Sequence, residues 1–171
     1  MDSAEKQTGS EAQEKDAVLE AHAENRAVAA LRAGLPEAIV GARYDKKELT
    51  LWIARDSIIA AAGALKGAGY NFLSDVTCVD WLPNEPRFEV IYHLLSHDWK
   101  QRVRLAVRLE SLDPEVASMT AVWPTANFYE REIWDLFGVR FGGHPNLRRI
   151  LMPDEWEGHP LRKDYPVEGY R

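Results

Sequence analysis

Short stretches of alternating apolar and polar residues run through the middle of the chain, in the pattern of half-buried β-strands. In the clearest stretch, Leu49, Leu51 and Ile53 alternate with Thr50 and Trp52. Side chains two positions apart share one face of a strand, so the three aliphatic residues predict a buried face. The same pattern predicts strands at residues 38–43, 48–53, 72–81, 88–95 and 102–109. A polar turn at residues 45–47 makes the first two a hairpin.

Helical patterns lie between and after these strands. An alanine-rich stretch at residues 18–31 predicts a helix in its later half, and Ser57 can cap a second helix. A third helix is predicted after Asn127, which forms a capping-box pattern with Glu130, and Gly138 can end it in the left-handed conformation. The predicted fold is α+β, with a mostly antiparallel sheet of four to five strands and helices on one face.

The two ends of the chain differ from this central domain at residues 17–137. Residues 1–16 are polar and acidic, which predicts a disordered leader. Residues 138–171 hold five glycines and four prolines and lack regular periodicity, yet they keep many large apolar and cationic side chains. This composition predicts an extended C-terminal arm that binds a partner. We expect its first half to fold back on its own domain and the remainder not to.

Composition excludes several function classes. The net charge of −6 comes mainly from residues 1–25, where seven acids and two lysines give −5. An acidic chain without a basic face argues against nucleic-acid binding. The longest nearly apolar run, residues 58–65, is too short to cross a bilayer. Cys78 is the only cysteine, so the chain has no thiolate set for an iron–sulfur cluster, and we interpret it as a buried hydrophobe.

The third predicted helix concentrates the charged residues. Arg131 and Asp135 are four positions apart and are predicted to pair, while Trp134 lies off the apolar stripe and is predicted to be an exposed interface anchor. Glu132 and Asp135 could also act as a general acid and base. No nucleophile, phosphate loop or metal-ligand set lies near them, so partner contacts and local salt bridges are the preferred interpretation. His144 and His159 each precede a proline, and we favour hydrogen-bonding roles for them over metal ligation.

The segment from Asn127 to Pro166 resembles a known family. The motif begins with Glu130-Arg131-Glu132, Asp135-Leu136-Phe137, His144, Arg148 and Ile150-Leu151, and it continues with Met152-Pro153, Trp156 and Gly158-His159-Pro160-Leu161-Arg162-Lys163-Asp164-Tyr165-Pro166. This pattern closely resembles the signature of the C-type subunit of NADH-quinone oxidoreductase, respiratory complex I. The predicted α+β layout at residues 31–123 is compatible with that family.

The resemblance implies a non-catalytic, cofactor-free subunit of the complex's peripheral arm, at the cytoplasmic face of the bacterial inner membrane. It implies packing against the D-type subunit, with the B-type subunit and other peripheral-arm subunits nearby, while flavin and iron–sulfur clusters lie in other subunits. Quinone is an indirect partner, and the complex is a proton-pumping translocase. Interface or structural roles are expected for Glu130, Arg131, Glu132, Trp134, Asp135, His144, Arg148, Trp156, His159, Arg162, Lys163, Asp164 and Tyr165.

Three other functions remain open at this point. Membrane-bound nickel–iron hydrogenases and the photosynthetic counterpart of complex I carry similar subunits. A free-standing enzyme could use the carboxylates of Glu130, Glu132 and Asp135, and it predicts turnover by the isolated chain. A free-standing adaptor would have no redox subunit among its partners.

Overall fold

Five strands form the main sheet of the computed structural model, which describes residues 13–169. They are β1 (Ile39–Asp45), β2 (Glu48–Ile53), β3 (Phe72–Asp80), β4 (Phe88–Ser96) and β5 (Gln101–Leu109). Their order across the sheet is β1-β2-β5-β4-β3, and every neighbouring pair is antiparallel except β2 and β5, which run parallel. The predicted α+β class and mostly antiparallel sheet are confirmed. The parallel pair was not foreseen, because strand order depends on contacts between distant parts of the chain.

The β1–β2 hairpin turns in two residues. Lys46 and Lys47 have φ angles of 49° and 68°. Positive φ at both central positions matches the right-handed twist of the flanking strands, as in the commonest two-residue hairpins. The turn brings Ala42 opposite Leu51 in the register of the pair.

The helices pack on one face of this sheet. Residues 13–21 form helix α1, followed in the chain by α2 (Arg26–Gly34), α3 (Ile58–Gly67) and α4 (Ala126–Phe137). Leu51, Leu105 and Tyr92 are fully buried and lie in register across β2, β5 and β4. Leu31 of α2 and Leu65 of α3 belong to the same apolar core. Burial of such side chains is the main driving force for this layer arrangement.

The predicted leader is too long by at least four residues. Residues 13–16, expected to be disordered, belong to helix α1, and Leu19 on that helix is buried in the core. Packing of Leu19 into the core stabilises the helix, so the polar residues before it can also be helical. Residues 1–12 and 170–171 lie outside the described residues, so those parts of the leader and arm predictions are not tested.

The prediction for helix α4 is confirmed at its C-terminus and wrong at its N-terminus. Gly138 caps its C-terminus with φ 73°, as predicted. At the N-terminus the capping box is wrong, because the helix already begins at Ala126 and Thr125 makes no side-chain cap hydrogen bond. Beyond α4, β7 (Arg140–Gly142) pairs in parallel with β6 (Glu115–Ala117), so the first residues of the predicted arm form a strand. Among residues 13–169, no helix is long and apolar enough to span a membrane.

Candidate partner-binding surface

The C-terminal segment, defined here as residues 143–169, contains turns and bends but no helix or strand. Its polar backbone groups must therefore find partners outside regular secondary structure. They do so on α4 and at the ends of β3 and β4, through the contacts described below. The expectation that the later half would not fold back is wrong.

Asp135 of α4 organises the first part of this segment. Its carboxylate is fully buried, and Oδ2 accepts the backbone N–H groups of Ile150, Leu151 and Met152 at 3.0, 2.9 and 2.9 Å. Arg149 Nη1 donates to Oδ1 at 2.5 Å. Burial alone would raise the pKa of Asp135, but these donors outweigh it and hold the pKa below its ordinary value.

The predicted pair between Arg131 and Asp135 is wrong. Arg131 instead donates to the backbone carbonyls of Arg148 and Arg149, at 3.1 and 2.8 Å. An exposed pair four residues apart on a helix contributes only about 0.2–0.5 kcal/mol. A buried carboxylate needs several strong donors, and the C-terminal segment supplies them. The Arg148 side chain itself is exposed.

Arg149 connects three parts of the surface. Beyond its contact with Asp135, its Nη2 donates to the carbonyls of Trp156 and Gly158 at 2.6 and 3.1 Å. Its guanidinium also lies over the Trp134 ring, 5.8 Å from the centroid. Trp134 is half-buried against the apolar core, so its predicted exposure was wrong. Sequence reasoning missed Arg149, because the burial of Asp135, which makes a cationic partner necessary, is known only from the fold.

The two histidines make hydrogen bonds to the backbone, as favoured from the sequence. His144 Nε2 lies 3.1 Å from the Asn127 carbonyl, and His159 Nδ1 lies 2.9 Å from the Asp135 carbonyl. Burial lowers the pKa of His159. No cluster of three His, Cys, Asp or Glu side chains in residues 13–169 could hold a metal ion.

The C-terminal end of α4 is closed by the same segment. The Leu161 N–H donates to the Leu136 carbonyl at 3.0 Å, and Arg162 Nε donates to the Phe137 carbonyl at 2.5 Å. These groups satisfy carbonyls that a helix end leaves unpaired. The approach is close, since a Cβ on Gly138 would lie 2.5 Å from Arg162 Nη2.

An ion cluster fastens the later residues to the sheet, with Arg87 and Asp80 buried and Asp164 half exposed. Arg87 donates Nε and Nη2 to Asp80 at 2.9 and 2.8 Å, and Nη1 and Nη2 to Asp164 at 2.9 and 2.6 Å. The Lys163 N–H also donates to Asp80, at 2.9 Å. Burial opposes ionisation of Asp80, yet Arg87 and the N–H groups of Lys163 and Leu82 bring its pKa down to about 2. Arg87 likewise lowers the pKa of Asp164.

Asp80 and Arg87 were not among the predicted site residues. A signal for Asp80 was present in the alternation of β3, because Val76 and Cys78 point to the core and Asp80 follows two positions later. A core-facing carboxylate requires a charged or hydrogen-bonding partner. Which cation would fill that role was not contained in the pattern. Cys78 is itself buried, as interpreted, and burial raises the pKa of its thiol to about 12.

The carboxylates considered for catalysis do not share one site. Glu130 is fully buried and accepts from Ser118 Oγ and the Met119 N–H, both at 2.6 Å. Burial is the main reason that its pKa is raised to about 7. Glu132 is exposed, and Asp135 has its oxygens occupied by the C-terminal segment. A general acid and base need to converge on one reacting group, and these three do not.

Large apolar side chains of the C-terminal segment point away from the domain. The exposed fractions are 37% for Ile150, 59% for Leu151, 38% for Trp156 and 52% for Leu161, and Val167 is fully exposed. The segment therefore directs its polar backbone groups inward and leaves apolar groups in solvent. Exposed apolar groups concentrated in one segment are typical of an interaction site. Tyr165, also predicted here, is half-buried, and its hydroxyl lies 3.4 Å from the Glu157 carbonyl.

Sequence comparison agrees with this geometry. Residues 51–171 match the family model described as the respiratory-chain NADH dehydrogenase 30 kDa subunit. The chain belongs to this family, that of the C-type subunit of NADH-quinone oxidoreductase. The C-type subunit of Roseiflexus sp. strain RS-1 is 46% identical over 140 residues, which cover 80% of each chain. The C-type subunit of Geobacter sulfurreducens is 45% identical over 147 residues, covering 85% of this chain and 91% of the relative.

Solved structures extend this family likeness to the fold. A trypsin-resistant fragment (1-134) of Nqo5 matches with a TM-score of 0.63 and 32% identity, covering 71% of this chain and 99% of the fragment. A chain of an archaeal respiratory membrane complex, the membrane-bound sulfane sulfur reductase, matches with a TM-score of 0.72 and 25% identity. That match covers 85% of this chain and 86% of the other. The predicted family is confirmed.

Proposed function

We propose that this chain is a non-catalytic, cofactor-free subunit of a proton-pumping NADH:quinone oxidoreductase, where it binds and stabilises the D-type subunit at the quinone site. The B-type subunit and other peripheral-arm subunits are the further neighbours in this proposal, at the cytoplasmic face of the bacterial inner membrane. Flavin and iron–sulfur clusters belong to those other subunits. Family membership supports the complex, and the C-terminal segment supports the mode of binding.

The observation that carries the proposal is that the C-terminal segment is fixed to its own domain while its apolar side chains are exposed. The segment is held to its own domain by the buried Asp135 and by the Arg87 ion cluster, so little chain entropy remains to be lost on binding. Pre-organisation of this kind increases affinity without adding contacts. Leu151 and Leu161 are each more than half exposed, and burying a leucine fully contributes about 1.5–3 kcal/mol. The D-type subunit is the surface that we propose to cover them.

The related archaeal complex defines the second candidate, an equivalent subunit of a different membrane-bound redox complex. Its sequence identity is 25%, whereas the NADH-quinone oxidoreductase relatives reach 45–46%. The higher identity favours the first function. Purification of the native complex and identification of its companions separates the two, because only the first requires a flavin-containing NADH subunit.

The docking role is tested by co-expressing the full chain with the D-type subunit of the same organism and measuring how much co-purifies. The double variant Leu151→Asp, Leu161→Asp is expected to reduce co-purification at least tenfold, because charges would then face the apolar interface. Thermal unfolding of the isolated variant should match the parent. Leu112→Asp is the matched control, since Leu112 is 98% exposed in the loop between β5 and β6. Undiminished association of the double variant would contradict the proposal.

A further inference from the structure

The face of the sheet opposite the helices holds an unusual cluster around Glu89. Glu89 is only 6% exposed, although the residues that line the cavity around it all belong to strands and loops. Trp52 Nε1 donates to Oε1 at 2.5 Å, and Trp81 Nε1 donates to Oε2 at 3.0 Å. Arg108 Nε lies 3.7 Å from Oε1, and its guanidinium lies 5.0 Å from the centre of the Trp52 ring. Both carboxylate oxygens are therefore occupied by donors of the same chain.

A cavity of about 530 Å³ lies over this cluster. Indole rings and aliphatic side chains form part of its wall, and Arg43, Arg104 and Arg108 also line it. Arg43 pairs with Asp45 at 3.3 Å and Arg108 with Glu89. The cavity thus combines an apolar, aromatic wall with a polar rim, which holds these three arginines and the three carboxylates of Asp45, Glu85 and Glu89.

Arg104 is the exception among the arginines of this face. Arg102, its neighbour on β5, pairs with Glu48 at 3.5 Å, but Arg104 has no ion pair within residues 13–169. Its Nε–H is shielded from solvent and lacks a hydrogen-bond partner in the same part of the chain. A buried donor left unsatisfied is unfavourable. The three carboxylates of the cavity have other partners: Glu89 accepts from Trp52 and Trp81, Asp45 pairs with Arg43, and Glu85 accepts from the backbone N–H groups of Arg87 and Ser111. Arg104 can therefore accept an anion from outside the described residues.

We propose that this cavity is a second docking surface, which receives an aspartate or glutamate side chain of a neighbouring polypeptide in the complex. The carboxylate would pair with Arg104, and the residues around it would pack on Trp52 and Trp81. Tryptophan and arginine are the side chains that most often dominate protein interfaces. The inference rests on the proposed function only in requiring that the chain assembles with other subunits. It concerns the sheet face without helices, whereas the C-terminal segment packs on α4.

Side-chain oxidation by hydroxyl radicals provides a direct test of coverage. Trp81 is 45% exposed, and Trp99, at the tip of the β4–β5 hairpin, is 46% exposed. In the isolated full chain the two should therefore react at similar rates. In the purified complex, Trp81 oxidation is expected to fall at least fivefold. Trp81 reacting in the complex as fast as in the isolated chain would overturn the proposal.

The occupant is identified by photo-cross-linking in the same complex. Asn84 lines the cavity and is exposed, so p-benzoylphenylalanine is placed there. The expected cross-link joins another subunit, within a few residues of an aspartate or glutamate. Cross-links confined to this chain, including residues 1–12, or to a second copy of it would overturn the proposal. The proposal would also be overturned if added glutarate alone protected Trp81 of the isolated chain from oxidation, since a small dicarboxylate would then be the ligand.

Charge is tested by matched arginine variants. Arg104→Gln is expected to restore Trp81 oxidation in the complex at least threefold, and Arg104→Lys to do so less. Arg102→Gln is the control, because Arg102 is on the same face but pairs with Glu48 in solvent. Equal effects of the Arg104 and Arg102 glutamine variants would overturn the proposal. If the parent chain fails to assemble at all, the proposed function fails; if it assembles with Trp81 unprotected, only this inference fails.

Discussion

Replacement of Asp135 by asparagine tests whether one buried carboxylate holds the C-terminal segment. The side chain receives three backbone N–H groups and the guanidinium of Arg149. The single carbonyl oxygen of asparagine cannot accept all four donors, and its amide group would point donors at donors. Arg149, whose side chain is 12% exposed, would also lose its ionic partner. Breaking a buried pair in this way costs about 3–5 kcal/mol.

Amide hydrogen exchange measures this loss where it occurs. At about 1.4 kcal/mol for each tenfold change, a loss of about 3–5 kcal/mol should reduce protection of the amides of Ile150, Leu151 and Met152 by about 10²-fold to 4 × 10³-fold in Asp135→Asn. Core amides of β4 and β5 should change less, because the lost contacts all hold the segment. Asp154→Asn makes the same charge change at an exposed position of the same segment and should leave protection unchanged.

The pH dependence of the parent protein gives an independent check. The pKa of Asp135 is lower in the folded chain than its ordinary value. Its stabilising contribution is therefore complete above the unfolded pKa of about 3.9 and is lost as the pH falls through the lower folded value. Protection of the amides of Ile150, Leu151 and Met152 should decrease as the pH falls in the parent, and it should decrease less in Asp135→Asn. Unaltered protection in the variant at pH 7 would refute the reasoning.

Two further predictions concern stability. Gly138→Ala should destabilise the protein by more than about 1 kcal/mol, because φ is 73° and a Cβ would meet neighbouring side chains at 2.5 Å. Gly63→Ala should instead stabilise it by about 0.5–1 kcal/mol, because Gly63 lies inside α3 and a Cβ there would have nothing within 4 Å. Urea unfolding that ranks the two variants the other way would contradict this. The pKa of Glu130 is raised to about 7, so its favourable contribution is present below about pH 4.5 and lost as the pH rises through 7. Because glutamine does not titrate, the free energy of unfolding of Glu130→Gln should rise by about 2–3 kcal/mol relative to that of the parent between pH 5 and pH 8. An equal difference in unfolding free energy at both pH values would exclude this.

Features governed by neighbouring residues were predictable from the sequence. Alternation placed the strands near their observed positions, because side-chain direction along a strand repeats every two residues. The left-handed cap at Gly138 followed from glycine's freedom at positive φ. The family motif likewise contained Asp135, His159, Arg162 and Asp164, whose contacts join the C-terminal segment to α4 and the sheet.

Features that depend on distant residues were not predictable in the same way. Local spacing suggested that Arg131 would pair with Asp135, but Arg149 supplies the cation from fourteen positions away. The expected exposure of Trp134 failed for a related reason, since Arg149 and the core cover part of its ring. A charged side chain takes the partner that best replaces its lost hydration, and that partner is known only once the chain is folded.

By itself, the sequence determined the five strands of the main sheet, helices α2, α3 and most of α4, and the C-terminal cap of α4, since backbone geometry and local periodicity decide these. It did not determine helix α1 or the pairing of β6 with β7. Only the tertiary structure decided that β2 and β5 run parallel, that Arg87 joins Asp80 to Asp164, and that the segment turns its polar groups inward. Those outcomes depend on which surfaces and charges meet across long loops. Burial makes unpaired polar groups costly, so the folded chain selects the partners that satisfy them.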